Sequence, residues 1–246
     1  MLAIIGGSGL SQLRGLEIVR REVVRTPYGE PSCPITIGRL KGRPTVFLAR
    51  HGYGHTIAPH AINYRANLWA LKQQGAKRIV SVAAVGGIAS ALVPGSLVLP
   101  DQVIDYTWGR KHTFFEGEAP VTHIDFTEPY SRELRAKILQ AATECAEPMH
   151  DGAVYAVTQG PRLETAAEVD RLARDGATMV GMTGMPEAAL AREIELPFAA
   201  IAVVANFAAG RGDSRVRVDL NMFDRVLRTG MARVARIVEK LVEFVE

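Results

Sequence analysis

The apolar run LPFAAIAVVANFAAG occupies residues 196–210 and predicts a strand that is buried on both faces of a sheet. Seven consecutive apolar residues, from Ala199 to Ala205, lead directly into Asn206, and small residues follow. A buried Asn needs partners for its amide hydrogens and its carbonyl oxygen. Because parallel α/β sheets bind ligands beyond the carboxyl ends of their strands, Asn206 is a candidate ligand-binding residue.

The rest of the chain repeats this pattern of short apolar runs separated by segments with helical periodicity. Interleaved strands and helices are typical of an α/β domain built around a mostly parallel sheet. There is no linker-like change in composition and no internal repeat, so a single domain over residues 1–246 is predicted. The predicted strands cover residues 2–5, 45–49, 78–85, 152–158, 177–182 and 198–206, and the predicted helices cover residues 61–75, 131–146, 163–176, 186–195 and 219–246.

Composition and charge argue against several classes of function. The 29 basic and 26 acidic residues leave a net charge of only +3, so no nucleic-acid partner is expected. No apolar run approaches the length of a membrane span, and the N-terminal segment has no basic region typical of a signal peptide. Cys33 and Cys145 stand far apart and outside any metal-binding motif, so neither a disulfide framework nor a structural zinc site is expected. A cytoplasmic protein without a membrane partner is predicted.

The segment DYTWGRKHTFFEGEAPVTHIDFTEPY, residues 105–130, has neither strand nor helix periodicity. It is rich in aromatic residues and too long for a simple connection. Loops of this length are usually functional or interfacial, so we expect this segment to contribute to a site or to a subunit contact.

Glycines and polar residues follow several predicted strands and form a candidate anion site. IIGGSGL places Ser8 between glycines, and SVAAVGGI ends another strand in small residues. Backbone N–H groups in such turns can bind an anion, although tight turns and close helix packing explain both segments equally well. Arg50 and His51 follow the strand TVFLA, where they are poor core residues and good oxyanion ligands. We favour this role over an ion pair and a loop-filling His.

Glu164, Met182 and Thr183 are further candidates that also have simple structural explanations. Glu164 begins a helix, where the dipole favours an acid, yet its carboxylate could also accept from the N–H groups of a heterocycle. Thr183 could donate to an oxyanion or cap the next helix, and Met182 could contact a ribose or belong to the core. The helix dipole alone explains Glu187. The sequence contains no metal-ligand cluster and no nucleophile motif, so any chemistry must come from donors around an anion.

Six segments, in their order along the chain, closely resemble the trimeric purine nucleoside phosphorylase superfamily, and most of all its methylthioadenosine phosphorylase branch. They are IIGGSGL, TPYGEPS, LARHGYGHTIAPHAINYRANLWALK, AAVGGI, GPRLETAAE and VGMTGMPEAALARE, and the similarity runs from Ile4 to about Asn206. Gly184 stands where the family carries a hydroxyl residue. The resemblance implies a mixed, mostly parallel, twisted sheet flanked by helices, a homotrimer, and phosphate-dependent cleavage of a purine nucleoside. Inorganic phosphate would be the co-substrate, and no cofactor or metal would be needed.

The resemblance also implies which residues bind phosphate and ribose. Met182 would line the ribose, and His123 resembles a residue that reaches the site of a neighbouring subunit. Phosphate would attack C1′ of the ribose through an oxocarbenium-like transition state, and the site would stabilise the negative charge arriving on the purine. Phosphate would be bound by Ser8, Arg50, His51, the backbone around Ala83 and Ala84, and Thr183, and the catalytic residues would be Arg50, His51 and Asn206.

Asn206 and Glu164 indicate which purine such a site accepts. Methylthioadenosine phosphorylases carry Asp at the position of Asn206 and a second Asp where this chain has Ala208, whereas 6-oxopurine phosphorylases carry Asn and Glu. A carboxamide can donate to O6 and accept from a protonated N7, and a carboxylate can accept from N1–H. Adenine would mismatch these groups, at a cost of about 1–3 kcal/mol for each unsatisfied group. A 6-oxopurine is therefore expected, with Leu163, Phe207 and Ala208 completing the base pocket.

The segment SRVRVDLNMFDRVLRT, residues 214–229, indicates the 5′ substituent. It lacks the His that ordinary purine nucleoside phosphorylases place near a 5′-hydroxyl. Phe223, Val226 and Leu227 would form an apolar pocket suited to a methylthio group, although their spacing equally predicts the core face of an amphipathic helix. The expected substrate is S-methyl-5′-thioinosine. The alternatives are methylthioadenosine, a general 6-oxopurine nucleoside such as inosine or guanosine, and nucleotide binding without catalysis.

Overall fold

The apolar runs of the sequence form the central strands of a sheet in the computed structural model, which describes residues 1–117 and 120–245. All of the predicted strands and helices are present. In chain order the strands are β1 (Leu2–Gly6), β2 (Leu16–Glu22), β3 (Ile35–Leu40), β4 (Arg43–Ala49), β5 (Arg78–Gly87), β6 (Leu97–Leu99), β7 (Gln102–Asp105), β8 (Met149–Asp151), β9 (Val154–Val157), β10 (Met179–Gly181) and β11 (Phe198–Phe207). The α-helices are α1 (Tyr64–Gln73), α2 (Arg132–Glu144), α3 (Ala166–Arg174), α4 (Gly184–Glu193) and α5 (Leu220–Leu241).

Strand β5 organises the sheet. One of its edges pairs in parallel with β1 along residues 78–81 and then antiparallel with β10 at Gly86 and Gly87. Its other edge pairs in parallel with β11 along residues 79–87. The sheet continues from β1 through β4, β3 and β2, from β10 through β9 and β7, and from β11 through β6 and β8. Most strand pairings among the described residues are parallel, which confirms the predicted mixed, mostly parallel sheet.

Helices cover both faces of this sheet. Leu2 and Ile4 belong to the core beneath α2 and α5, whereas Ala3 and Ile5 belong to the core beneath α1 and α4. This alternation is the period of two that a strand imposes on its side chains. A smaller apolar cluster beneath α3 joins β9 and β10 to Ala208. None of the described helices is both long enough and apolar enough to span a membrane.

The carboxyl end of β11 departs from regular pairing. Its register with β5 shifts between Val204 and Asn206, so that Ala205 lies in a bulge and Asn206 lies opposite Gly86. A bulge interrupts the alternation of side chains and redirects the residue that follows it. The polar residue at the end of the apolar run is therefore positioned by a local irregularity of the strand.

The sequence pattern does not predict the short strands β6, β7 and β8, nor β2 and β3, which form an antiparallel hairpin at one edge of the sheet. Most residues of β2, which lies in the basic segment RGLEIVRREVVR, are exposed. An edge strand that faces water lacks the apolar run that marks a central strand. The segment between β7 and α2 contains no helix or strand among its described residues, as its lack of periodicity predicts.

Candidate active site

A cavity lies beside the middle of β5, in the gap between its two neighbours on one edge. β1 stops beside Ser81 and β10 enters from the other direction beside Gly86, so the residues that follow β1, β4 and β10 meet there. Most of the predicted residues line this cavity, namely Ser8, Arg50, His51, Ala84, Leu163, Glu164, Met182, Thr183, Asn206, Ala208 and Phe223. The sequence analysis did not identify Pro59, Val85, Gly86, Val180, Gly181, Ala209 and Val218, which line it as well. These unpredicted residues are small or apolar and carry no chemical signal in the sequence.

Arg50 borders the cavity as half of a buried ion pair with Glu187. Its Nε and Nη2 donate to the two oxygens of Glu187, and Nη2 also donates to Ser81 Oγ at 2.6 Å. Nη1 donates to the carbonyl oxygen of Val82 at 2.9 Å, which leaves one N–H on Nη1 for a ligand. Arg50 is thus both an ion-pair residue and a wall residue.

The carboxylate of Glu187 is fully buried on α4. Its main interaction is the ion pair with Arg50, not the helix dipole that the sequence analysis considered sufficient. Burial acts to lower the pKa of Arg50, but the charge of Glu187 and its hydrogen bonds more than offset this, so the pKa lies above its ordinary value. The two charges cancel, so the pair gives this end of the cavity no net charge. The sequence signal that could have revealed the pair is an acid placed on an otherwise apolar face of α4.

His51 is neutral in this environment. Its Nδ1 lies 2.8 Å from the carbonyl oxygen of Ile57, which can only accept, so Nδ1 carries the proton. Burial, followed by the charge of Arg50, lowers the pKa of His51 to about 4. Nε2 is therefore an unprotonated acceptor near neutral pH.

Two hydroxyl groups complete the polar part of this wall. Ser8 Oγ lies 2.9 Å from Nε2 of His55, whose ring is 4.7 Å from the ring of His51. Thr183 is the N-cap residue of α4, but its side chain makes no capping hydrogen bond. The capping role considered for Thr183 is therefore not observed, and its hydroxyl borders the cavity instead.

Asn206 and Glu164 line the same cavity from separate segments. Asn206 Nδ2 donates to the carbonyl oxygen of Phe207 at 2.6 Å, which leaves one N–H, while Oδ1 has no partner among the described residues. Glu164 Oε1 accepts from Thr158 Oγ1 at 2.6 Å, and Oε2 has no hydrogen-bond donor among the described residues. The cavity thus presents an amide donor, an amide acceptor and a carboxylate acceptor.

Arg110, from the irregular segment between β7 and α2, joins two loops of the site. It is buried, and none of its partners among the described residues is a carboxylate. The sequence analysis marked the segment but not this residue. Its guanidinium donates to the carbonyl oxygens of Thr158, Gln159, Met182 and Met185, to Gln159 Oε1 and to the Tyr64 hydroxyl.

The apolar wall differs from the expectation. Of the three residues predicted on α5, only Phe223 lines the cavity, and Val218 from the preceding loop joins it. Leu227 is buried in the core beneath α5, where it faces Gly9, and Val226 is outside the cavity wall. The amphipathic-helix explanation therefore holds for Leu227, because its position on α5 turns it towards the sheet.

Three other predicted residues also lie outside the cavity wall. Ala83 is buried in the core on β5, one residue before Ala84 in the wall. The ring of Phe207 approaches Gly212 in the following loop. His123 is exposed and does not line the cavity of its own chain.

The structure explains why position 184 is a glycine in this chain. A Cβ atom there would lie 2.7 Å from Cε1 of Tyr155 and 3.1 Å from Cγ2 of Val157. A hydroxyl residue, as in the family motif, does not fit beside this Tyr.

No group of three or more potential metal ligands occurs within residues 1–117 and 120–245. Cys33 and Cys145 are unbonded thiols.

Comparisons with known proteins agree with the fold and the motifs. The sequence model of the phosphorylase superfamily matches residues 1–243. A Pseudomonas syringae pv. tomato protein named probable S-methyl-5′-thioinosine phosphorylase is 53% identical over 94% of each chain. A Pyrococcus furiosus protein named 6-oxopurine nucleoside phosphorylase is 46% identical, over 87% of this chain and 82% of its own. The structure of methylthioadenosine phosphorylase from Schistosoma mansoni in complex with adenine matches with a TM-score of 0.95 and 32% identity, over 99% of this chain and 91% of the other.

With a single sheet of this topology, a cavity at the break beside β5 and a match along nearly its whole length, the chain belongs to the phosphorylase superfamily. The named relatives are nucleoside phosphorylases, which are pentosyltransferases, and this confirms the enzyme class predicted from the motifs.

Proposed function

We propose that this enzyme cleaves S-methyl-5′-thioinosine with inorganic phosphate, giving hypoxanthine and 5-methylthioribose 1-phosphate in purine salvage. The observation that carries the proposal is the pairing of the Asn206 carboxamide with the Glu164 carboxylate in one cavity wall. The name of the Pseudomonas syringae relative supports it.

Hypoxanthine matches the free polar atoms of this wall. The remaining N–H of Asn206 donates to O6, Oδ1 accepts from a protonated N7, and Glu164 Oε2 accepts from N1–H. Adenine would place its amino group against an amide donor and its N1 lone pair against a carboxylate lone pair. Each such mismatch costs about 1–3 kcal/mol, so 6-oxopurines are preferred.

Phosphate binds at the wall formed by Ser8, Thr183, Arg50 and the backbone at Ala84. The two hydroxyls and the free N–H of Arg50 donate to phosphate oxygens. His51 contributes an acceptor, because its Nε2 is unprotonated and can receive the O–H of a protonated phosphate. Because Glu187 compensates the charge of Arg50, this set of donors and one acceptor suits a phosphate that still carries a proton.

The reaction needs no protein nucleophile. A phosphate oxygen forms a bond to C1′ of the ribose as the C1′–N9 bond breaks, and the bonding electrons pass to the purine. Asn206 stabilises the departing base at O6 and at N7, which takes up a proton from solvent water as the bonding electrons arrive, so its contribution is larger in the transition state than with bound substrate. Met182 lies against the ribose.

The 5′ end of the substrate is received by apolar side chains. Phe223 and Val218 offer no hydrogen bond to a hydroxyl, and they suit a methylthio group. A second candidate function is general 6-oxopurine nucleoside phosphorolysis, which the same base-binding residues and the Pyrococcus furiosus relative favour.

The test is release of free base from methylthioinosine, methylthioadenosine, inosine and guanosine, each with and without phosphate. Phosphate-dependent hypoxanthine release that is fastest from methylthioinosine is expected. A preference for methylthioadenosine would contradict the base assignment, and a preference for inosine would establish the second candidate. Thermal stabilisation by nucleosides without any turnover would indicate a binding module.

A cytoplasmic homotrimer is part of the proposal. His123 is exposed in the chain, and in a trimer it covers the site of a neighbouring subunit. Light scattering after gel filtration should give three times the mass of the chain. His123→Ala should keep that mass and lower kcat/KM about tenfold, the effect of one lost polar contact. A monomer with full activity would contradict this arrangement.

A further inference from the structure

We propose that Thr158 determines the base specificity of this site by fixing the orientation of Glu164. Its hydroxyl holds one carboxylate oxygen, which leaves the other directed at the base as an acceptor. The inference rests on the proposed function, because it concerns how the same wall separates 6-oxopurines from 6-aminopurines.

The hydroxyl of Thr158 is committed to Glu164. Thr158 follows β9, and its backbone N–H donates to the carbonyl oxygen of Gly181 at 2.8 Å, which anchors the residue next to the cavity. The single hydroxyl proton has two acceptors in reach, Glu164 Oε1 at 2.6 Å and Gly181 O at 3.3 Å. The shorter contact, to a carboxylate, is the stronger one.

Glu164 needs such an anchor because it stands between two cavities. It lines the cavity of Asn206 on one side and, on the other, an outer cavity of about 390 Å³ bordered by Tyr106, Trp108 and Arg162. A carboxylate without a fixed donor has room to turn outwards. Thr158 lines the outer cavity, and its hydroxyl holds Oε1 of Glu164 on that side, which leaves Oε2 for the cavity of Asn206.

Two cations line the outer cavity, Arg162 and Arg171, and each already has a carboxylate partner. Arg171 Nε lies 3.8 Å from the carboxylate of Asp175. Both Nη atoms of Arg162 donate to the carboxylate of Glu168, at 2.8 and 2.7 Å. Both arginines therefore have their own counter-ions and do not draw Glu164 outwards. The orientation of Glu164 then depends on Thr158, which is its only hydrogen-bond donor among the described residues.

A carboxylate can distinguish 6-oxopurines from 6-aminopurines only if its orientation is fixed. An ionised carboxyl group only accepts, so a held Oε2 attracts N1–H of a 6-oxopurine and opposes the N1 lone pair of adenine. If the carboxylate is free to rotate, it loses the attraction to N1–H of a 6-oxopurine and no longer repels the N1 lone pair of adenine. Removing the Thr158 hydroxyl should therefore lower activity on the 6-oxopurine much more than activity on the 6-aminopurine.

The experiment compares Thr158→Val, which keeps the shape and removes the hydroxyl, with Thr158→Ser, which keeps the hydroxyl. The kcat/KM values for methylthioinosine and methylthioadenosine are measured at saturating phosphate. The wild-type ratio should fall about tenfold to hundredfold in Thr158→Val, the range for one buried hydrogen bond, and Thr158→Ser should restore most of it. A Thr158→Val ratio within twofold of wild type would overturn the proposal.

A double-mutant cycle with Glu164→Gln tests whether Thr158 acts on base specificity through Glu164. If Thr158 acts through Glu164, Thr158→Val should change the ratio far less in the Glu164→Gln background than in wild type. Equal effects in both backgrounds would overturn the proposal. Hypoxanthine and adenine affinities by calorimetry give the same comparison for a variant with little turnover. Failure of the proposed function looks different, because wild type itself then releases no hypoxanthine from methylthioinosine.

Discussion

Arg50 and Glu187 show how a single residue pair can serve both the fold and the site. Glu187 is fully buried, and its oxygens accept from Arg50 and from Ser81. Removing one partner of such a pair leaves a buried charge without compensation, which costs more than the pair contributes when intact. The stability of this wall therefore depends on Glu187 although the residue does not line the cavity.

Glu187→Gln should lower the free energy of unfolding by about 3–5 kcal/mol, because it leaves the Arg50 guanidinium buried without its counter-ion. Urea denaturation measures the change. The control is Glu133→Gln, which breaks the exposed pair with Lys137 and should cost less than about 1 kcal/mol. Equal effects of the two substitutions would contradict the role assigned to the buried pair.

His51 should make stability depend on pH below neutrality. Its pKa falls from 6.5 in the unfolded chain to about 4 in the fold, chiefly through burial and then through Arg50. The unfolded chain therefore binds more protons between these values, and the stabilising contribution is complete above pH 6.5 and lost as pH falls through 4. Thermal midpoints from pH 4 to 7.5 should fall less steeply towards acid in His51→Gln than in wild type. Parallel curves would contradict the lowered pKa.

At the scale of elements, the close contact between α5 and β11 explains why α5 carries a glycine where helix propensity would favour alanine. Gly230 lies inside α5, and a Cβ atom there would be 2.3 Å from Cγ1 of the buried Val203. Helix propensity alone favours Ala over Gly by about 1 kcal/mol in a helix interior. Val203 is β-branched and enclosed by the core, so it cannot move aside without strain.

Gly230→Ala should therefore destabilise the protein, by about 1–3 kcal/mol, the usual cost of an overpacked core. Chemical denaturation gives the sign directly. Thr229→Ala, at an exposed position of the same helix, is the matched control and should change stability by less than about 0.5 kcal/mol. A stabilised Gly230→Ala variant would mean that α5 can shift away from β11.

The irregular segment after β7 acts through Arg110, which ties the loop at Thr158 to the loop at Met182. Lys has one ammonium point of attachment in place of a planar fork, so it cannot keep both loops in position. Arg110→Lys should lower kcat/KM about tenfold to hundredfold, the effect of misplacing groups on both sides of the substrate. Lys111→Met removes the exposed neighbouring charge and should leave kcat/KM within twofold. A fully active Arg110→Lys enzyme would show that the loops hold their positions without the clamp.

On the scale of the whole molecule, the cavity exists because β5 changes partners along one edge. β1 and β10 approach β5 from opposite directions and leave the middle of the strand without a neighbour. Segments that are far apart in the sequence, at Ser8, Arg50, Thr183 and Asn206, can meet only there. The position of the site is thus a consequence of sheet topology.

The sequence was sufficient for the central strands, the helices and most polar residues of the cavity. Continuous apolar runs and helical periodicity are local signals, and polar residues at the end of an apolar run, such as Asn206, stand out against their neighbours. The sequence pattern did not predict edge strand β2, because its residues face water. It did not predict Val218 in the cavity wall either, because an apolar residue in a loop carries no distinguishing signal. The position of Leu227 in the sequence fitted both a pocket residue and the core face of a helix, and only the packing of α5 shows that it is a core residue.

By itself, the sequence determined the class of fold and the chemical character of the site, because both are recorded in residue type and spacing along the chain. Only the tertiary structure decided that Glu187 neutralises Arg50, that Arg110 joins two loops and that Thr158 holds Glu164. These contacts join residues that folding brings together, and each is set by direction and distance. A hydrogen bond depends on both within a few tenths of an ångström, and no pattern along one dimension contains that information.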